Sequence, residues 1–163
     1  MAEALETKKD AVLSEQYELL IKQLKSLLSK DERLITNLAN LTAAIKQTFD
    51  KVSWVGFYLF DGEILYLGPF QGKVACTTIN LGKGVCGKAA EKGQTIIVPD
   101  VNKFPGHIFC DPDSKSEIVV PMFKNNTLIG VLDLDSDSYN SFDKIDKKYL
   151  EEIVKFLTEE IIN

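Results

Sequence analysis

The chain has little cysteine, histidine, tryptophan or proline, and it has no apolar run long enough to cross a membrane. Its 163 residues include three cysteines, one histidine, one tryptophan and five prolines. An odd number of cysteines cannot all pair within one chain. A hydrophobic content of 45% builds a core without metals or cross-links. We therefore expect one domain, residues 1–163, whose cysteines are free thiols.

Basic runs are also missing, and the formal net charge is −5. This charge excludes the electrostatic attraction on which nucleic-acid and anionic-membrane binding depend. The first ten residues, MAEALETKKD, lack the apolar core that a secretory signal needs before its cleavage site. We expect a cytoplasmic protein whose partner is a small molecule or another protein.

The hydrophobic periodicity predicts an α+β fold, a largely antiparallel central sheet with the N- and C-terminal helices packed on one face and the loops on the other. Helical spacing covers the N-terminal part, residues 1–50, and a closing helix that Asp143 starts in residues 143–163. The sheet and the active-site loops occupy residues 51–142. The predicted strands are Val52 to Phe60, Glu63 to Leu67, Val74 to Ile79, Thr95 to Val98, Glu117 to Lys124 and Thr127 to Asp135.

A long polar loop from Pro99 to Ser116 carries the only histidine and the last cysteine. Loops of this length in compact domains are usually functional or disordered. Cys76, Cys86, His107 and Cys110 have the ligand types of a zinc site, but they lack the close cysteine pair of structural sites. His107 and Cys110 could instead form a nucleophile pair, or His107 could brace the loop.

The segment LGKGVCG, from Leu81 to Gly87, resembles a phosphate-binding loop only in its glycine content. It lacks the spacing of both phosphate-binding fingerprints, so a tight turn into a short helix is the better interpretation. The backbone N–H groups of such a turn could still receive a substrate carboxylate.

Three acidic residues, Glu117, Asp133 and Asp135, lie on neighbouring strands of one predicted hairpin. Asp133 and Asp135 share a face because the strand period is two. They form either a solvated edge or a pocket that needs a cation or a shared proton. Trp54 and Tyr58 also point the same way, either as core residues or as the wall of a pocket for a small apolar group.

Three stretches together resemble the free methionine-(R)-sulfoxide reductase family, which has the GAF fold. They are GPFQGKVACTTINLGKGVCGKAA, VPDVNKFPGHIFCDPDSKSEIVVP and IGVLDLDS, within about Ser53 to Phe142. They include all three cysteines and the acidic hairpin. The chain departs from the family at Phe109, where a smaller residue is common.

The resemblance implies that Cys110 attacks the sulfoxide sulfur and becomes a sulfenic acid. Cys76 matches the usual resolving position, while Cys86 could relay or substitute. The free thiols expected from composition would then pass through a disulfide during turnover. Thioredoxin is the expected reductant, and no cofactor or metal is implied.

By the same match, Glu117, Asp133 and Asp135 would bind the substrate ammonium, and Glu117 or Asp135 would protonate the departing oxygen. Trp54 and Tyr58 would border the substrate methyl group. Nearby acids oppose formation of a thiolate, so Lys115, His107 or backbone N–H groups are candidates to compensate. The sequence leaves both a monomer and a homodimer open.

A non-enzymatic GAF module that binds a small ligand or senses redox state remains the rival class, since it would share the fold. Sensor modules are normally joined to an output domain, and this chain ends one helix after the sheet. We therefore expect an oxidoreductase rather than a sensor.

Overall fold

The computed structural model describes residues 4–108 and 110–162. None of the helices in these residues is both long and apolar enough to cross a membrane. A 3₁₀ turn at Val101–Lys103 and a π-helical turn at Leu157–Ile161 complete the regular structure. The helices are α1 (Leu13–Leu27), α2 (Leu34–Thr48), α3 (Gly84–Lys92) and α4 (Lys144–Phe156), and the strands are β1 (Trp54–Phe60), β2 (Ile64–Gln71), β3 (Thr78–Asn80), β4 (Ile96–Val98), β5 (Ser116–Lys124) and β6 (Thr127–Ser136).

The six strands form one sheet in the order β3-β2-β1-β6-β5-β4, and every neighbouring pair among them is antiparallel. Side chains alternate between the two faces because successive residues of a strand point in opposite directions. Val55 and Phe57 of β1, and Leu132 and Leu134 of β6, therefore face one core. Trp54, Tyr58 and Val131 lie in a second cluster. The predicted α+β class and antiparallel sheet are confirmed.

The first core lies beneath α1, α2 and α4, which pack together on one face as predicted. Asp143 caps α4 and forms a capping box with Asp146, so the predicted helix start is confirmed. Asp146 is fully buried and accepts hydrogen bonds from Tyr17 Oη at 2.7 Å and from Lys51 Nζ at 2.7 Å. This charge-assisted network joins the first helix to the last.

The opposite face carries α3 and the long loops. The predicted strand from Val74 to Ile79 is wrong in extent, because β3 begins only at Thr78. Residues 72–77 are drawn into a loop instead, where side chains of β1 bind two backbone carbonyls. The predicted short helix is confirmed as α3, which ends at Gly93 in the left-handed conformation (φ 63°) that glycine adopts most easily.

Candidate active site

Three neighbouring strands bring the acidic residues into one row. Asp135 of β6 pairs with Trp54 of β1 on one side and with Glu117 of β5 on the other. Asp133 lies two residues earlier on the same face, opposite Gly56. The expectation that the acids share a face is confirmed, and all three line one cavity beneath α3 and the loops.

Trp54 and Tyr58 form the aromatic wall of this cavity, and their ring centroids are 6.1 Å apart. The indole of Trp54 lies across Gly56 and reaches Phe70, whose ring centroid is 5.5 Å away. A Cβ atom at Gly56 would stand 2.3 Å from the indole, so only glycine permits this arrangement. Sequence reasoning missed Gly56, although a glycine inside a strand can signal such a close approach.

The two aromatic residues also hold the loop between β2 and β3. Trp54 Nε1 donates to the backbone oxygen of Lys73 at 3.0 Å, and Tyr58 Oη donates to that of Cys76 at 3.0 Å. Tyr58 is buried, and burial followed by the Asp133 charge raises the pKa of its phenol. Tyr58 is therefore a neutral donor that fixes Cys76.

Cys76 forms a disulfide with Cys110, with their Cα atoms 5.5 Å apart. The expectation that all cysteines are free is thus wrong for this pair, because two distant loops converge over the cavity. Two ion pairs support the same junction: Lys73 Nζ lies 3.3 Å from Asp111 Oδ1 and 2.5 Å from Asp113 Oδ2. The loop that follows β2 and the long loop form the roof of the cavity.

Helix α3 places Cys86 beneath this roof. Its thiol is buried and free, and it donates to Asp133 Oδ2 at 3.2 Å. Among residues 4–108 and 110–162, the four residues of the zinc alternative do not assemble, because Cys76 and Cys110 are bonded to each other. The atoms that could hold a cation belong instead to Cys86, Glu117 and Asp133 and lie within 4.8 Å of one another.

Burial is the main influence on the ionisation of the acids. It raises the pKa of Glu117 well above the usual range, and the Asp133 and Asp135 charges raise it further. Burial and the Asp135 charge also raise the pKa of Asp133, partly opposed by the Cys86 hydrogen bond. The pKa of Asp135 rises by burial to about 6, although a 2.6 Å hydrogen bond from Ser114 favours its charged form. Near neutrality the cluster therefore retains protons.

His107 lies beside the acids, with Nδ1 3.8 Å from Glu117 Oε2. Burial lowers its pKa, so the neutral imidazole predominates at neutral pH. Lys115, the other candidate to favour a thiolate, places its Nζ over the Tyr139 ring, 5.6 Å from the centroid. It does not line the cavity, whereas Lys73 forms an ion pair with Asp111, the residue that follows Cys110.

The free space that these walls enclose is about 40 Å³, enough for a few water molecules. The walls therefore lie close together in the disulfide form. Phe109 lies outside the described residues. Contributions that sequence reasoning missed include Ser114 and the apolar side chains at the mouth and beneath α3. The lining is Trp54, Tyr58, Val74, Ala75, Ile79, Gly84, Val85, Cys86, His107, Ile108, Cys110, Asp111, Ser114, Glu117, Asp133 and Asp135.

The arrangement combines three chemical abilities in one cavity. Protonated carboxyl groups can donate to a departing oxygen, and ionised ones can bind an ammonium group. Cys110 lines the cavity and forms a disulfide with Cys76, so it can carry electrons in pairs. An aromatic wall stands beside the acids to receive an apolar group.

The chain is similar to known proteins over most of its length. The GAF domain model matches residues 33–161. The chain is 56% identical to GAF domain-containing protein A of Dictyostelium discoideum, over 96% of this chain and 99% of that protein. It is 46% identical to free methionine-R-sulfoxide reductase of Saccharomyces cerevisiae, over 78% and 76% of the two chains. The X-ray structure of free methionine-R-sulfoxide reductase from Neisseria meningitidis, in complex with its substrate, superposes with a TM-score of 0.92 at 44% identity, covering 98% and 95%.

Proposed function

We propose that the chain reduces free L-methionine-(R)-sulfoxide to L-methionine, because it belongs to the GAF family and, within that family, to the free methionine-R-sulfoxide reductases. The observation that carries the proposal is the position of the Cys76–Cys110 disulfide at a cavity that three acids line, the buried Glu117 and Asp133 and the half-buried Asp135. A redox-active thiol pair and a proton-rich acidic cluster are the two requirements for removing oxygen from a sulfoxide.

The acidic cluster binds the substrate ammonium. Burial raises the pKa of Asp135 to about 6, so Asp135 is largely ionised at neutral pH. Asp133 Oδ1 is buried and finds no hydrogen-bond donor among the described residues, which suits a cationic ligand. Trp54 and Tyr58 then border the substrate methyl group, because they form the apolar side of the same cavity.

Cys110 is the nucleophile, and its sulfur attacks the sulfoxide sulfur. Glu117 stays protonated at neutral pH because burial and its acidic neighbours raise its pKa, so it supplies a proton as the S–O bond breaks. The protonated oxygen moves from the substrate sulfur to Cys110 as the bond between the two sulfur atoms breaks, so methionine leaves and Cys110 becomes a sulfenic acid. One thiol and one sulfoxide thus become one sulfenic acid and one sulfide.

Cys76 resolves the intermediate. Its thiol condenses with the Cys110 sulfenic acid, and the products are the disulfide and water. The hydrogen bond from Tyr58 to the Cys76 backbone holds this partner within bonding distance of Cys110. Cys86 is buried, and burial and the Asp133 charge raise its pKa, so its protonated thiol is the poorer choice for resolving.

Thioredoxin regenerates the enzyme by attacking Cys76 rather than Cys110. Thiol exchange displaces one sulfur by attack on the other. Cys110 lines the cavity, whereas Cys76 follows the exposed residues 72–74 and precedes the exposed Thr77. Val74, with 87% of its surface exposed, marks the accessible side. Attack on Cys76 releases Cys110 as the leaving thiolate inside the cavity.

A cycle driven by a protein dithiol operates in a reducing compartment, so we place the enzyme in the cytoplasm.

The experiment that tests the proposal is thioredoxin-coupled NADPH oxidation with separated epimers of free methionine sulfoxide. We expect turnover with the R epimer and background rates with the S epimer. Purified Cys110→Ser protein is the control, since a serine hydroxyl cannot replace the thiolate at neutral pH. Equal background rates with both epimers would return the chain to the class of non-enzymatic GAF sensors.

A further inference from the structure

We propose that the acidic cavity is also a zinc site, formed by the Cys86 thiolate with the Glu117 and Asp133 carboxylates, and that bound zinc excludes the amino-acid substrate. The effect on the substrate depends on the proposed function, whereas the metal site itself does not. The sequence does not reveal these three residues as a metal site, because they come from α3, β5 and β6 rather than from one motif with regular spacing.

The ligand atoms already lie near the spacing that a tetrahedral zinc ion imposes. Bonds of about 2.3 Å to sulfur and about 2.0 Å to oxygen hold the two ligand atoms about 3.5 Å apart. Cys86 Sγ and Asp133 Oδ2 are 3.2 Å apart, and one oxygen of Glu117 lies within 4.8 Å of both residues' ligand atoms. Small side-chain movements would therefore complete a three-ligand site.

A candidate fourth ligand, His107, lies near one of these three. His107 Nδ1 lies 3.8 Å from Glu117 Oε2, and burial lowers the pKa of the imidazole, so a neutral nitrogen is present at neutral pH. A water molecule could take the same position, since the cavity opens to solvent near Val74 and Ile108. Thiolate, carboxylate and imidazole ligands together favour zinc over magnesium or calcium, which prefer oxygen ligands only.

A second observation points to a cation rather than to a purely internal network. Asp133 is 94% buried by accessible surface, yet its Oδ1 finds no hydrogen-bond donor among the described residues. A divalent ion would bind this oxygen and neutralise the negative charge of the carboxylates. Without a cation, the cavity avoids that charge by keeping the carboxyl groups protonated. Zinc must displace those protons, so its affinity should rise with pH.

Zinc and the substrate ammonium would compete because both need the same carboxylates. Zinc should therefore raise KM for the free amino-acid sulfoxide while leaving kcat at saturating substrate unchanged. Neither Cys76 nor Cys110 is a ligand, so the metal should bind whether or not the disulfide is formed. This independence permits a test that does not depend on catalysis.

The test is a cobalt titration of the oxidised chain, in which Cys86 is the only thiol that remains. Cobalt reports a thiolate ligand by a charge-transfer band in the near ultraviolet. We expect this band in the wild-type chain at one ion per chain, followed by its loss when zinc displaces cobalt. Magnesium and calcium should not displace it.

Two variants test the ligands, and a third serves as the control. Cys86→Ser should abolish the band, and Asp133→Asn should weaken zinc binding by about 100-fold, measured by competition with a chelating dye. Asp61→Asn is the matched control, because Asp61 is an exposed carboxylate in the β1–β2 turn. Circular dichroism confirms that each variant is folded.

No charge-transfer band in the folded wild-type chain, or an unchanged zinc affinity in Asp133→Asn, would overturn the site. Zinc binding without any sulfoxide reductase activity would leave the site standing and remove the proposed function. Reductase activity that zinc binding does not inhibit competitively would overturn the exclusion of substrate.

Discussion

Replacing Asp135 with asparagine should make the protein more stable at alkaline pH while it impairs catalysis. Burial raises the pKa of Asp135 from 3.8 to about 6, so the folded chain binds this proton more tightly than the unfolded chain does. The stabilising effect of the proton is complete below about pH 4 and is lost as the pH rises through about 6. A pKa shift of this size corresponds to about 3 kcal/mol of unfolding free energy.

Asparagine keeps an oxygen that can accept the Ser114 hydrogen bond but carries no charge to bury. The Asp135→Asn variant should therefore match the wild type near pH 4 and exceed its unfolding free energy by about 2–3 kcal/mol near pH 8. The assay is urea unfolding of both oxidised proteins across this pH range. Loss of the charge should also lower kcat/KM by about 100-fold.

Asp61→Asn is the control of opposite sign. Hydrogen bonds from the Ile64 and Glu63 backbones lower the pKa of Asp61, so its charged form favours folding and neutralising it should not stabilise the protein at high pH. An Asp135→Asn protein that is no more stable than wild type near pH 8 would refute the raised pKa of the carboxyl group at this position.

Three further outcomes follow from the structure. Cys110→Ser should abolish reduction, whereas Cys76→Ser should complete one turnover, accumulate a sulfenic acid that dimedone traps, and stop cycling with thioredoxin; normal cycling of Cys76→Ser would reassign the resolving role. Val74→Asp should slow disulfide reduction by thioredoxin about tenfold, measured by quenched thiol counting, yet leave reduction by dithiothreitol unchanged; equal slowing by both would place Val74 outside the docking surface. Asp146→Asn should lower the urea-derived stability by about 3 kcal/mol because Lys51 loses its partner, and a loss below about 1 kcal/mol would show that the pair is not effectively buried.

The period of the strands made the acidic row predictable. Asp133 and Asp135 alternate with Leu132 and Leu134, so a register that buries the leucines under the helices must turn both acids to the other face. The helical spacing of the terminal segments and the Asp143 cap were predictable for the same reason, since both are local patterns.

Contacts between distant segments were not predictable from such patterns. The hydrogen bond between Cys86 and Asp133 depends on how α3 packs across β6. The loop that replaced the first half of the predicted third strand depends on side chains of β1, since Trp54 and Tyr58 bind its carbonyl groups. Hydrogen bonds from distant side chains to the backbone leave no pattern in the local sequence. The third strand was therefore predicted to begin earlier than it does.

The pairing of Cys76 with Cys110 was available only through the family resemblance. The two residues are separated by 34 positions, and composition alone favoured free thiols. The roles of the acids, of Trp54 and of Tyr58 remain proposals, although the structure places all of these residues in one cavity with Cys110.

The most direct measurement of the central claim compares free methionine-(R)-sulfoxide with its N-acetyl derivative, using pre-reduced enzyme and counting methionine formed. Acetylation removes the ammonium that the acids bind, and it leaves a buried carboxylate unpaired. We expect a loss of about 2–5 kcal/mol, or roughly 30- to several-thousand-fold in kcat/KM, for the acetylated R epimer. Comparable rates on the free and acetylated forms would contradict ammonium binding by Glu117, Asp133 and Asp135, and with it the assignment to the free amino acid.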